Sequence, residues 1–99
     1  MTKLGGVTPI LRIFDIAKAR EFYAGFLGFK IDWEHRFDDN APLYIAMSRD
    51  GCVLHLSEHH GDGTPGSAIR IEARDVAALH RELIGSGYRY ARPGLEQTT

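Results

Sequence analysis

Cysteine is almost absent from this sequence. Cys52 stands alone, so no internal disulfide can staple the fold, and a reducing, cytoplasmic setting is expected. No apolar run approaches the roughly 20 residues of a membrane helix, and the opening MTKLGGVTP lacks the apolar core of a secretory signal. Charge of one sign is missing too. The chain carries 12 Lys and Arg against 13 Asp and Glu, mixed along its length, which argues against a nucleic-acid surface. Residues 61–66 are glycine-rich but lead into a strand pattern, so they read as a connecting turn and not a phosphate loop. Nucleophilic chemistry finds little support, because strand alternation puts Cys52 on the face opposite His55 and leaves Ser57 with no base beside it.

What is present fits one small α+β domain in 99 residues. Residues 7–14 (VTPILRIF) read as a strand, with Pro9 near its start where a missing N–H is tolerated. Asp15 is placed to cap a helix, and Ile16, Ala19, Phe22, Tyr23, Phe26 and Leu27 recur at helical spacing before Gly28 stops it. In residues 29–37, Phe29, Ile31, Trp33, His35 and Phe37 alternate with charged residues, which predicts one apolar strand face. Residues 38–42 form a turn. Strands follow at 43–49 and 52–57, joined by an Asp50-Gly51 hairpin signal. Residues 68–74 (AIRIEAR) read as a strand. Asp75 caps a second helix, with Val76, Leu79, Leu83 and Ile84 as its stripe and Gly85 and Gly87 at its end, and residues 88–92 begin one more strand.

The order is β-α-β-β-β, then β-α-β. ILRIFDIAKAREF and AIRIEARDVAALHREL both run strand, Asp cap, amphipathic helix. This internal repeat is more informative than any single motif. DIAKAREFYAGFLGFKIDWEH resembles the D-x-x-x-A-x-x-F-Y-x-x-x-L-G-F signature of the vicinal oxygen chelate superfamily, which includes glyoxalases, extradiol dioxygenases and bleomycin-resistance proteins. DGCVLHLSEH and the restart at AIRIEARDVAALHREL carry the same resemblance, over about residues 7–92. It implies paired βαβββ modules, the first at about 7–60 and the second at about 67–99, shortened by about two strands, in a single domain spanning 1–99. The TP opening, DWEHRF and LHLSEHHGDGTPG resemble the bleomycin-resistance branch. That branch implies a small-molecule binder without a metal of its own, acting as a homodimer.

Metal-dependent relatives place His, Gln or Glu on the first and last strand of each module. The resemblance puts those positions at about Thr8, His55 and Ala68 or Ile69, and the fourth on a strand the sequence lacks. Only His55 is a competent ligand. On a strand, His55 and His59 would lie roughly 13 Å apart, and His59 and His60 would point apart. His55, His59 and His60 are therefore weak metal candidates, and no cofactor is expected, although a divalent ion at these histidines stays an alternative.

The candidate ligand-binding residues are Trp33, His35, Phe37, His55, Ser57, Arg12 and Arg70. Trp33 and Phe37 are suited either to the core or to stacking a flat heteroaromatic group. His55 suits either a hydrogen-bonded strand histidine or a polar group orienting a ligand. Asp32, Glu34, Asp38 and Asp39 form either a solvated acidic face or an attractor for a cation. Arg12, Arg70 and Glu72 suit either pairing with one another, the expected arrangement, or binding a polar ligand. The function expected is non-catalytic sequestration of a bleomycin-type molecule. The alternative is a metal-dependent lyase, transferase or dioxygenase.

Overall fold

The computed structural model describes residues 2–88. A four-stranded mixed sheet runs in the order β1-β4-β3-β2, built from β1 (Ile10–Arg12), β2 (Lys30–His35), β3 (Tyr44–Arg49) and β4 (Cys52–Ser57). β1 lies parallel to β4, and the other pairs are antiparallel. A parallel neighbour needs a crossover, and the first helix supplies it, which is why the sequence order βαβββ closes into one sheet. The expected α+β class and first module are what the chain forms.

The helix starts where Asp15 caps it, its carboxylate accepting from the Lys18 N–H at 3.0 Å. α1 (Ile16–Ala19) continues as a π-helical segment, Arg20–Phe26. The wider register is visible where the Leu27 N–H reaches the Phe22 carbonyl, five residues back, at 2.9 Å. Gly28 then takes φ +77°. Between β3 and β4, Asp50 (φ 52°) and Gly51 (φ 81°) are both left-handed, the type I′ geometry that matches strand twist.

The core lies between the helix and one sheet face. Ile45, Met47, Leu54 and Leu56 are buried there with Leu11, Ile13, Ala19, Phe29 and Leu43. Cys52 is half-buried against this cluster.

Three expectations need correction. First, β2 does not alternate regularly. Ile31 pairs with Met47, but Trp33 pairs with Ala46, so Asp32 is an extra residue in a β-bulge. Phe29 and Ile31 therefore belong to the helix side, and Trp33 and His35 to the other. Glu34 follows Ile45 to the helix side, where it meets Arg20, so the acidic residues do not form one group. Second, residues 68–74 are in no strand; Ile69 and Ile71 are 40% and 49% exposed. A segment with strand propensity but no partner strand has nothing to complete its backbone hydrogen bonds. Third, α2 (Val76–Gly85) forms under its Asp75 cap, which accepts from the Ala78 N–H at 2.9 Å, but its stripe buries no residue. Arg49 ties it down: one guanidinium donates to the Leu27 carbonyl at 2.7 Å and, as a fork, to both Glu82 oxygens at 2.8 and 3.0 Å. The glutamate holds the Arg49 proton more tightly than usual. The expected strand at 88–92 lies, beyond Tyr88, outside the described residues.

Candidate functional site

The sheet face away from the helix is built by cross-strand register. A two-residue turn at Asp50-Gly51 pairs Arg49 with Cys52, and counting outward puts Ala46 opposite His55 and Tyr44 opposite Ser57. The bulge then delivers Trp33 opposite Ala46 and His35 opposite Tyr44. Parallel pairing adds Ile10 beside His55 and Arg12 beside Ser57. One open face thus presents Trp33, His35, Tyr44, His55 and, at its edge, Ile10 and Arg12.

The rings on this face touch. Trp33 stacks on Tyr44 with centroids 5.8 Å apart and planes 14° apart. The His55 ring stands edge-on to both, at 5.4 Å from Trp33 and 5.2 Å from Tyr44. The Tyr44 hydroxyl lies 2.7 Å from His55 Nδ1. A second group follows: His35 lies against Phe37 at 5.0 Å, and Phe37 against His59 at 6.1 Å. Trp33 remains 49% exposed and Phe37 78%. Large aromatics left half-open beside one another on a small protein mark a binding surface more often than a packing accident.

Beneath the rings sits a polar clamp. Ser57 is completely buried. Its hydroxyl donates to Asp62 at 2.9 Å and accepts the His59 N–H at 3.0 Å. This holds the 58–63 loop against the end of the sheet, where Gly63 (φ +69°) comes so close to β1 that a Cβ would sit 2.7 Å from the Ile10 carbonyl oxygen. Burial, reinforced by the Asp62 carboxylate, raises the Tyr44 pKa above the usual phenol value. Tyr44 therefore keeps its proton across the physiological range.

Of the residues singled out from sequence, Trp33, His35, Phe37 and His55 come together on this face. Ser57 is on it by register but is buried in the clamp, unable to touch a ligand as placed. Arg12 lies at the edge, with its guanidinium 4.6 Å from the Phe14 ring centroid and not on Arg70 or Glu72. Arg70 and Glu72 are exposed in the unpaired segment, so the expected pairing does not form and Arg70 is not brought to the face. His59 lies against Phe37 in the loop and not on a strand with His55. No three His, Cys, Asp or Glu side chains among the described residues are grouped to hold a metal ion. Two contributors went unseen in the sequence: Tyr44 and Asp62. Tyr44 was legible, since the hairpin turn alone fixes its register beside His55. Asp62 had no local signal, because its role depends on the course of a glycine-rich loop.

Clefts of about 500, 360 and 350 Å³ among the described residues lie elsewhere. The first is between the π segment and the end of α2, and the second lies on the helix side near Leu11, Tyr23 and Ile71. Among the described residues, the ring-bearing face is an open floor with no wall.

The described residues form a βαβββ sheet with an aromatic face opposite its helix. The chain matches the family described as Glyoxalase superfamily protein over residues 2–99, and it belongs to that family. Among solved structures it is similar to the bleomycin-binding protein from bleomycin-producing Streptomyces verticillus, determined in complex with copper(II)-bleomycin. The identity is 29% and the TM-score 0.65, over 92% of this chain and 71% of that one. It also shares its fold with SMU.1112c, at 24% identity and TM-score 0.59, over 86% of this chain and 77% of that one. No curated protein matches. No helix among the described residues is long and apolar enough to cross a membrane.

Proposed function

We propose that this protein binds a small molecule bearing flat aromatic rings on its Trp33–Tyr44–His55 face and sequesters it without turnover, a bleomycin-type glycopeptide being the ligand to test first. The observation that carries this is the half-exposed Trp33–Tyr44 stack, with a histidine edge-on to both. A stacking floor with one polar anchor is enough for binding, and sequestration needs no resident metal. The likeness to a bleomycin-binding protein at 29% identity supports the ligand class.

An open floor cannot enclose a drug-sized ligand, which usually loses most of its surface to its site. We propose that a second copy of the chain supplies the wall, so that the working unit is a cytoplasmic homodimer. Ile10, exposed at the β1 edge of the ring-bearing face, and Ile69 and Ile71, exposed on the helix side, are apolar surface available for it.

Trp33 is the only tryptophan, so its fluorescence reports this face alone. Titration with copper-free bleomycin should quench it saturably, and recovered ligand should be chemically unchanged. No saturable response, or conversion of the ligand, would overturn the proposal. Near-stoichiometric metal in protein purified without chelators, measured by elemental mass spectrometry, would overturn the metal-free part and turn attention to lyase and dioxygenase assays.

A further inference from the structure

His55 Nδ1 faces the Tyr44 hydroxyl, and the two can share one proton in two directions. If the phenol donates, the imidazole proton resides on Nε2. If Nδ1–H donates, Nε2 is bare and becomes an acceptor. The choice decides what the face offers a ligand. The phenol keeps its proton here, because burial and the Asp62 carboxylate both oppose a phenolate. The only hydrogen-bond partner of its oxygen among the described residues is His55 Nδ1. An imidazole nitrogen is a far better acceptor than a phenol oxygen, so O–H to Nδ1 is the favoured direction.

The other ring nitrogen is open. His55 makes no second hydrogen bond among the described residues, and no side-chain polar atom there is both buried and unpartnered. Nε2 therefore faces solvent beside the exposed Trp33 ring. Protonation of His55 would add a proton at Nδ1 and leave Nε2 a donor. Asp62, fixed through Ser57 at the same end of the face, disfavours an anionic partner.

We infer that Tyr44 fixes His55 as a hydrogen-bond donor at Nε2, so that this face selects planar aromatic ligands carrying an uncharged hydrogen-bond acceptor at the ring, such as a pyridine-type nitrogen or a carbonyl. Tyr44 is then a positioning residue and His55 the polar anchor. The inference rests on the face being the binding surface proposed above.

The test is nitrogen NMR of the His55 ring at about pH 8, above the ordinary histidine range, in the wild-type protein and in Tyr44→Phe. Two flat bicyclic probes accompany it: quinoline, whose ring nitrogen accepts, and indole, whose ring nitrogen donates. The single Trp33 indole N–H peak follows binding of each. In the wild type, Nδ1 should be pyridine-like and Nε2 pyrrole-like. Quinoline should bind about 2- to 10-fold more tightly than indole, the range of one net hydrogen bond. In Tyr44→Phe the Nδ1–H tautomer, the minor form of free histidine, should become detectable, and that preference should fall; an unchanged tautomer and preference would show that Tyr44 does not fix the ring. A wild-type proton on Nδ1, or a preference for indole, overturns the inference and leaves the face as a binding surface. Silence at Trp33 from both probes overturns the reading of the face and the ligand class together, whatever the tautomer.

Discussion

At the scale of single residues, the polar groups behind the rings carry more weight than their number suggests. Ser57 makes two bonds from a site with no solvent access. Ser57→Ala would leave the His59 N–H without its acceptor and Asp62 without its donor. A loss of about 1–3 kcal/mol is expected, because an orphaned buried group forfeits its solvation; equilibrium urea unfolding would measure it. Tyr44 gives a pH signature. Its folded-state pKa lies above the unfolded value of about 10, so the folded protein holds the proton more tightly. Stability is full below that value and falls as pH climbs through it, when the unfolded chain releases its proton first. Tyr23, raised by burial, adds to the same trend. Melting temperatures measured from pH 8 to 11 should decline, and less steeply in Tyr44→Phe.

At the scale of elements, local chemistry was legible and its tertiary use less so. Both Asp caps, the I′ hairpin and the helical stripe of residues 16–27 follow from side-chain and backbone preferences that act within a few residues. The π segment was not legible, since helical spacing alone does not distinguish the two registers over two turns. The bulge was hidden for a related reason: Phe29, Ile31 and Trp33 have the spacing of one face, and only pairing with β3 reveals that Asp32 breaks it. Residues 68–74 show the opposite failure. AIRIEAR has strand propensity, but a strand exists only where a neighbour completes its ladder. Helix α2 forms on its own cap, is tied by the Arg49–Glu82 fork, a partly exposed pair whose contribution solvent reduces, and is followed by Tyr88, whose ring lies against Phe22 and Phe26. Amides of α2 should therefore exchange hydrogen far faster than those of β3 and β4, the strands that hold the core. Equal protection in both would contradict the thin attachment described here.

At the scale of the molecule, the first module forms the sheet and its helix, and the described part of the second adds one helix and no strand. The radius of gyration is 15.2 Å, against about 13 Å for a compact chain of this length. The sequence repeat announced two units, the second shortened by about two strands. It could not announce that residues 68–74 would stand in no strand, because a strand depends on a neighbour and not on its own sequence. The ring-bearing face was legible in part: Trp33, His35, Phe37 and His55, singled out from sequence, lie on it together, while Arg70 lies in a segment that forms no strand. If a second copy completes the site, Ile71→Asp should weaken self-association in sedimentation equilibrium. It should change the stability of the monomer by no more than about 0.5 kcal/mol, as for other exposed positions. Association unaffected by the substitution would exclude this segment from the interface.

The bulge in β2 has a consequence for chain length as well as for faces. Every other residue of that strand is locked into an alternation, so removing Glu34, for example, would turn His35 over into the core. Asp32 is different, because Ile31 and Trp33 already oppose adjacent residues, Met47 and Ala46. Excising Asp32 would close the ladder into a regular one and leave Trp33 and His35 where they are. The strand would lose local twist and the ion pair to Lys30, and keep its rings. A deletion variant lacking Asp32 should fold with Trp33 still solvent-exposed by acrylamide quenching, whereas one lacking Glu34, with His35 turned into the core, should unfold at markedly lower urea. Gaps in this family's β2 would then collect at one position: a place where the gene can shorten by a codon without disturbing what the strand displays.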